Sequence, residues 1–209
     1  RKQGIKGSFA SGGITSVMTE LLEEGYFSTL LDVQTFDADA VASISKNPNH
    51  VEMDAAMYAD PLEMGCVASN LDIMILSATE IDINFNINVL TASNGVIMGA
   101  LGGHPDTAAG AKLAVAVVPL MRKRIPIVVE EVLNVSTPGD SVDVAVNPQN
   151  PKLREKLEAD GLPVVEIEDL MKMAYEMTGV PEKPKFGDKI VGIVEYRDGT
   201  MIDTIKNVL

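Results

Sequence analysis

Short apolar runs alternate with helical patterning along the chain, and that rhythm predicts its elements. In "ITSVMTELLEEG", Ile14, Val17, Met18, Leu21 and Leu22 recur at helical spacing and form one apolar face. Ser11, Gly12 and Gly13 stand just before it and Gly25 is placed to end it, so a helix opened by a glycine turn is expected. "STLLDVQTFD" reads as a buried strand ending near Thr35 to Asp37, and residues 38–46 read as a helix. "NPNH" is a loop, and residues 52–59 form a helix stopped by Asp60-Pro61. "LDIMILSAT" is a second apolar strand. In "EIDINFNINVLT", Ile81, Ile83, Phe85, Ile87 and Val89 alternate with Asp82, Asn84, Asn86 and Asn88, which predicts one strand with an acid-amide face.

Farther on, Asn94-Gly95 marks a turn, and residues 106–111 start a short helix with Asp106 as N-cap. "KLAVAVVP" reads as a buried strand, and "IPIVVEEV" and "SVDVAV" as strands separated by an "NVSTPGD" turn. "PKLREKLEADG" is a helix with Pro151 near its start and Gly161 at its end. "LPVVEI" is a strand. It leads into the helix "EDLMKMAYEMTG", whose Leu170, Met173, Ala174 and Met177 share a core-facing side. "DKIVGIVEYRDGTMIDTIKNV" is a hairpin turning at Asp198-Gly199. Strands alternating with helices predict an α/β, three-layer, Rossmann-like fold: a mostly parallel sheet, helices on its faces, and a C-terminal β-hairpin. With no internal repeat and no low-complexity linker, residues 1–209 are expected to form a single domain. The chain starts at Arg1, already leading into a patterned element, so a piece of a longer polypeptide is expected.

Charge narrows the function classes. Seventeen basic against thirty acidic residues give a net charge of -13, which argues against a general nucleic-acid binder. An anionic partner requires a local basic patch. Arg122, Lys123 and Arg124 supply one and Lys152, Arg154 and Lys156 another, unless both are simply solvated surface. Cys66 is the only cysteine, so an intrachain disulfide and a cysteine zinc site are both excluded, and its thiol is read as packing. Two histidines, His50 and His104, do not make a metal cluster. No apolar run approaches the ~20 residues of a membrane span and no signal-peptide layout is present, so a cytoplasmic protein is expected.

In open α/β sheets ligands lie beyond the carboxyl ends of the strands. Ser11 to Gly13, Thr35 to Asp37 and Gly102 to Asp106 are expected in such positions, and the asparagine-bearing strand is a candidate to join them. They offer backbone N–H groups, amides, one imidazole, and the carboxylates of Asp37, Glu80, Asp82 and Asp106. A Ser-His-Asp order, a metal triad and a Schiff-base lysine are all missing. This set suits holding acyl and carboxylate oxygens and stabilising an oxyanion. Alternatives stay open. The glycines either cradle an anion or only permit a tight turn, and His104 either donates to substrate or orients backbone. The asparagine face either lines a site or meets solvent.

The strings "SATEIDINFNINV", "GGHPDTAAGAKLAVAVVPLMRKRIPIVVE" and "FGDKIVGIVEYRDGTMIDTIK" resemble the citrate lyase α chain family, the citrate CoA-transferase subunits, over essentially the whole chain. The chain aligns with the C-terminal half of that subunit, the second lobe of a two-lobed protein, and more widely with the CoA-transferase superfamily. The resemblance implies a CoA-transferase-like fold. It also implies transfer of a pantetheine thioester, on an acyl carrier protein or as acetyl-CoA, from acetate to citrate. No tightly bound cofactor is implied. The implied partners are the acyl carrier (γ) chain and the lyase β chain in an oligomeric complex, with neither nucleic acid nor membrane.

The superfamily's glycine loop falls on Gly12 and Gly13, and its Gly-Gly segment on Gly102 and Gly103. Its S-E-N-G motif, which carries a nucleophilic glutamate, falls on Thr35, Phe36, Asp37 and Ala38, so phenylalanine stands where the glutamate is expected. That departure implies direct attack by a citrate carboxylate on the thioester, without a covalent glutamyl-enzyme. Gly102, Gly103 and His104 are then the expected catalytic residues. Ser11, Gly12, Gly13, Thr35, Phe36, Asp37, Glu80, Asn86 and Asn88 are the expected substrate- or CoA-binding residues. A non-catalytic assembly lobe, inactive without the first lobe, is the alternative. A sugar-phosphate isomerase of similar fold ranks last, because no basic phosphate clamp stands near the glycine turns.

Overall fold

The computed structural model describes residues 2–139, 148 and 150–209, and these group into two compact units, Arg1–Asn70 and Leu71–Leu209. In the first unit, β1 (Gly7–Ile14), α1 (Ser16–Glu23), β2 (Phe27–Thr35), α2 (Ala38–Lys46) and β3 (His50–Glu52) alternate. The strands pair in parallel in the order β1-β2-β3. Helix α3 (Ala55–Ala59) and a 3-10 turn (Ala68–Asn70) complete the unit. Ile14, Leu22, Leu30 and Ala40 form its core, with Ala10, Met18 and Phe27 packed against them.

Two expectations change here. Ser11, Gly12 and Gly13 do not open the helix; they lie within β1, paired with Leu31, Asp32 and Gln34 of β2 across a bulge between Gly12 and Gly13. Sheet pairing satisfies a backbone that small side chains cannot anchor to a core, so Ile14 ends the strand and α1 starts at Ser16. The helix expected over residues 52–59 starts only at Ala55. Asp54 caps it by accepting from Met57 N, and His50–Glu52 is drawn into the sheet instead. The expected boundaries of α2 hold, because Asp37 caps its first turn.

In the second unit, β4 (Ile73–Leu76) pairs in parallel with β7 (Leu113–Ala116), and α4 (His104–Gly110) lies between them in sequence. A second sheet runs β10 (Val128–Val129), β5 (Glu80–Asp82), β6 (Ile87–Asn88), in parallel from β10 to β5 and antiparallel from β5 to β6. Strands β8 (Met121–Arg122) and β9 (Ile125–Pro126) form a small hairpin. Helices α5 (Pro151–Ala159) and α6 (Ile167–Thr178) lead to the antiparallel hairpin β11 (Phe186–Glu195) and β12 (Met201–Val208). Met74, Ala78, Ile81, Phe85, Ile87, Ala108, Ala114, Val128 and Ile167 form the core. A mixed α/β fold with parallel pairing and a terminal hairpin is what the sequence predicted.

The single strand expected over residues 81–89 is instead two short strands that fold back on each other. The Asp82 carboxylate drives the reversal, because its Oδ1 accepts from Asn84 N at 2.9 Å and from Asn86 N at 3.0 Å. Phe85 takes φ 63° and turns its ring into the core, 3% exposed. A left-handed non-glycine residue costs about 1–2 kcal/mol, which burial of a phenyl ring offsets by about 2–3 kcal/mol. Helix α4 starts two residues earlier than expected, with Gly103 as its N-cap and Asp106 in its first turn.

"LPVVEI" forms no strand, "IPIVVEEV" gives only the two short strands β9 and β10, and β7 is half-buried rather than buried. On α6, Ile167, Leu170, Met171 and Ala174 meet the core, whereas Met173 and Met177 are exposed. The expected strand "SVDVAV" lies outside the described residues.

Candidate functional site

In the first unit the candidate residues gather at the carboxyl end of the parallel sheet, where β1 and β2 finish. The Ser11 hydroxyl donates to Leu31 O at 2.9 Å, and Phe36 N donates to Ile14 O at 2.9 Å, which ties the two strand ends together. Gly12 has φ 112° and Gly13 lies under the ring of Phe36. A Cβ added to Gly13 would fall 2.7 Å from Phe36 Cζ, so the ring occupies the space a side chain needs. The outer part of that ring stays in solvent, with Phe36 60% exposed.

Asp37 points away from this surface. Its Oδ2 accepts from Ser16 N at 2.7 Å and its Oδ1 from Ala40 N at 2.9 Å, so one carboxylate serves the starts of both α1 and α2. The bond from Ser16, followed by that from Ala40, holds its carboxyl below the usual carboxylate range. Thr35 Oγ1 donates to the buried Asp32 Oδ2 at 2.6 Å, and His50 Nε2 contacts the same oxygen at 3.1 Å. No sequence pattern signals this Asp32–His50 pair, since neither residue sits in a motif.

In the second unit, Glu80, Asn86, Asn88 and His104 enter a buried polar network. Glu80 Oε2 accepts from Asn88 Nδ2 at 2.8 Å and from Leu133 N at 2.9 Å. Asn88 is fully buried; its amide also donates to Thr91, and its Oδ1 accepts from Leu90 N and Thr91 N. Asn86 donates to Asp82 Oδ2 at 3.0 Å and accepts from Gly139 N at 2.9 Å. Thr91 Oγ1 continues the chain to Asn134 Oδ1 at 3.0 Å, and Asn134 Nδ2 reaches Asp203 Oδ2 at 3.1 Å. Asn134, Ser136 and Thr137 fall in a stretch whose sequence reads only as a turn. Their signal is a run of small polar residues between apolar neighbours, and it becomes legible only when burial is known.

His104 anchors α4 to this network. Its Nε2 lies 3.2 Å from Ser77 O and its Nδ1 lies 3.0 Å from Thr137 Oγ1. A carbonyl only accepts, so Nε2 carries the proton and Nδ1 accepts from the threonine hydroxyl. Burial pushes the imidazole below its ordinary value, which keeps it neutral. Before it, Gly102 takes φ 52° with open space where a Cβ would stand, so a bare, exposed backbone leads into α4.

A cleft of about 260 Å³ opens between β10, α6 and the segment before β11, and Glu80 lines it. Its rim carries Glu130, Glu131 and Glu182, with Lys183 bonded to Glu131, a balance that opposes a polycarboxylate ligand. Among the described residues no group of histidine, cysteine and carboxylate side chains has the form of a metal site.

The architecture is a mixed α/β fold with parallel strand pairing and a terminal antiparallel hairpin. The model of the family "Citrate lyase, alpha subunit (CitF)" matches residues 1–208, and the chain belongs to that family. It is 50% identical to the citrate lyase alpha chain of Klebsiella pneumoniae and 47% identical to that of Escherichia coli, each covering 100% of this chain and 42% of the relative. The chain therefore spans less than half the length of the curated relatives it matches.

A solved structure from Streptococcus mutans, described as the alpha subunit of citrate lyase in complex with citrate, superposes with a TM-score of 0.94. The two are 50% identical over 100% of this chain and 42% of that one. A point mutant of RipA superposes with a TM-score of 0.56 at 13% identity, covering 78% of this chain and 42% of its own, and shares the fold. No helix among the described residues is long and apolar enough to cross a membrane.

Proposed function

We propose that this chain forms part of a citrate CoA-transferase. It would move the acyl-carrier or CoA thioester from acetate to citrate within a citrate lyase complex, together with an acyl carrier chain and a lyase β chain, in the cytoplasm. The observation that carries the reading is the correspondence of this whole chain with a citrate-bound relative at 50% identity.

In the proposed reaction a citrate carboxylate oxygen attacks the acetyl thioester carbonyl. The C–S bond breaks and leaves a mixed acetyl-citryl anhydride and a thiolate. The thiolate then attacks the citryl carbonyl, the C–O bond breaks, and acetate leaves with the citryl thioester formed. The protein contributes no nucleophile. In support, Phe36 is a hydrocarbon, Asp37 is committed to two helix starts and Glu80 to the buried network.

Proximity and stabilisation of the oxyanion supply the acceleration. Gly102 and Gly103 are proposed around the reacting carbonyl, and His104, whose ring nitrogens are held by Ser77 O and Thr137 Oγ1, is proposed to anchor their loop. In the first unit taken by itself, Ser11, Gly12, Gly13, Thr35 and Phe36 are proposed as a thioester-facing surface, and Asp37 supports it by holding the starts of α1 and α2. In the second unit Glu80, Asn86 and Asn88, expected from the sequence to bind substrate, are spent on the buried network and are proposed to support the site from behind. The exposed Arg122–Lys123–Arg124 turn is proposed to dock the acyl carrier, opposite in sign to an acidic carrier surface. Trapping with hydroxylamine or borohydride during turnover of the full-length protein tests the mechanism. No modified carboxylate is expected, and a derivatised Asp37 or Glu80 overturns it.

A further inference from the structure

The terminal hairpin is a two-stranded sheet with one buried apolar side chain, Val194, so its own packing gives little reason for its placement. What fixes it is polar. At its turn, the half-buried Arg197 approaches Asp106 in the first turn of α4, with Nε 3.6 Å from Oδ1 and Nη1 3.4 Å from the Asp106 carbonyl oxygen. On β12, Asp203 Oδ2 accepts from Val135 N at 2.8 Å and Asn134 Nδ2 at 3.1 Å. Segment 134–137 carries that anchor onward. Ser136 N and Thr137 N both donate to Ile87 O, and Thr137 Oγ1 holds His104 Nδ1 at 3.0 Å. The hairpin thus grips the Gly102–His104 loop twice, once through the helix behind it and once through the threonine that orients its imidazole.

We infer that the hairpin of residues 186–208 is a positioning element for the transfer reaction, acting through Arg197 on α4 and through Asp203 on segment 134–137. The inference rests on the reading that Gly102–His104 flanks the reacting carbonyl. Neither residue touches substrate in this account; both fix the loop that does. Displacement of a reacting geometry by about 1 Å is worth up to about 100-fold in rate, while ground-state binding elsewhere is untouched.

The test uses the full-length protein, with acetyl-CoA as donor and citrate as acceptor, well below the melting temperature of each variant. Arg197→Ala and Asp203→Ala are expected to lower kcat by about 10- to 100-fold with KM for citrate nearly unchanged. Arg197→Lys keeps the cation and Asp203→Asn keeps one acceptor, so each is expected to recover part of the loss. A lowered melting temperature with unchanged kcat makes the hairpin merely structural and overturns the inference. His104→Gln and Gly102→Val run in parallel separate the two claims. If they impair transfer while the hairpin variants do not, the positioning role fails alone. If they leave transfer intact, the site reading fails and takes the positioning role with it.

Discussion

Gly13 and Phe36 share one volume at the end of the first sheet, and that sharing accounts for the glycine better than a turn does. Gly13→Ala is expected to cost about 1–3 kcal/mol, because the ring must be displaced. In Gly13→Ala/Phe36→Ala the cost is expected to shrink, and urea midpoints for the two single variants and the double variant measure the coupling. His104 gives a pH signature. Its folded pKa lies below the unfolded value, so the unfolded chain binds the proton first as pH falls. The associated stability is present above about pH 6.5 and is lost as pH drops toward the folded pKa. His104→Gln is expected to narrow the difference in urea midpoint between about pH 7.5 and about pH 5. An unchanged difference would show that this imidazole is not buried neutral.

Element by element, legibility followed whether the deciding contact was local. Helix α2 was readable because its cap, Asp37, and its periodicity lie together in sequence. The run 81–89 was not, because one strand and a tight reversal share the same period-two pattern. What chooses between them is a carboxylate bonding backbone two and four residues on. The β8–β9 hairpin shows a different conflict. Its two-residue turn places Lys123 at φ 49° and Arg124 at φ 65°, where asparagine and glycine are favoured. Lys123→Asn/Arg124→Gly is expected to raise stability by about 1–2 kcal/mol, read from the urea midpoint. If the cations dock the acidic carrier, the same variant weakens carrier association and flattens its salt dependence. Unaltered association places the dock elsewhere.

Across the whole molecule, each unit has its own core, yet large apolar side chains remain in water. Ile73 and Ile75 of β4 are 55% and 65% exposed, and Val117 beyond β7 is 60% exposed. With 42% of the relatives' length covered, the 209-residue segment alone is expected to fold without transferring a thioester from acetyl-CoA to citrate. Adding the remaining part of the full-length protein is expected to restore transfer. Full activity of the segment alone would assign it the complete site. The α/β class was legible because it rests on alternation of elements. The buried network of Glu80, Asn88, Asn134 and Asp203 was not, because it joins side chains far apart in sequence and no local pattern encodes those pairings.

Asp37 carries an evolutionary consequence. Thr15, the residue before α1, makes no side-chain cap bond, so this distant carboxylate holds that helix start as well as its own. A lineage that recruited Asp37 as a nucleophile would first have to invent two new caps. Folding therefore closes off one route to covalent chemistry at this strand end.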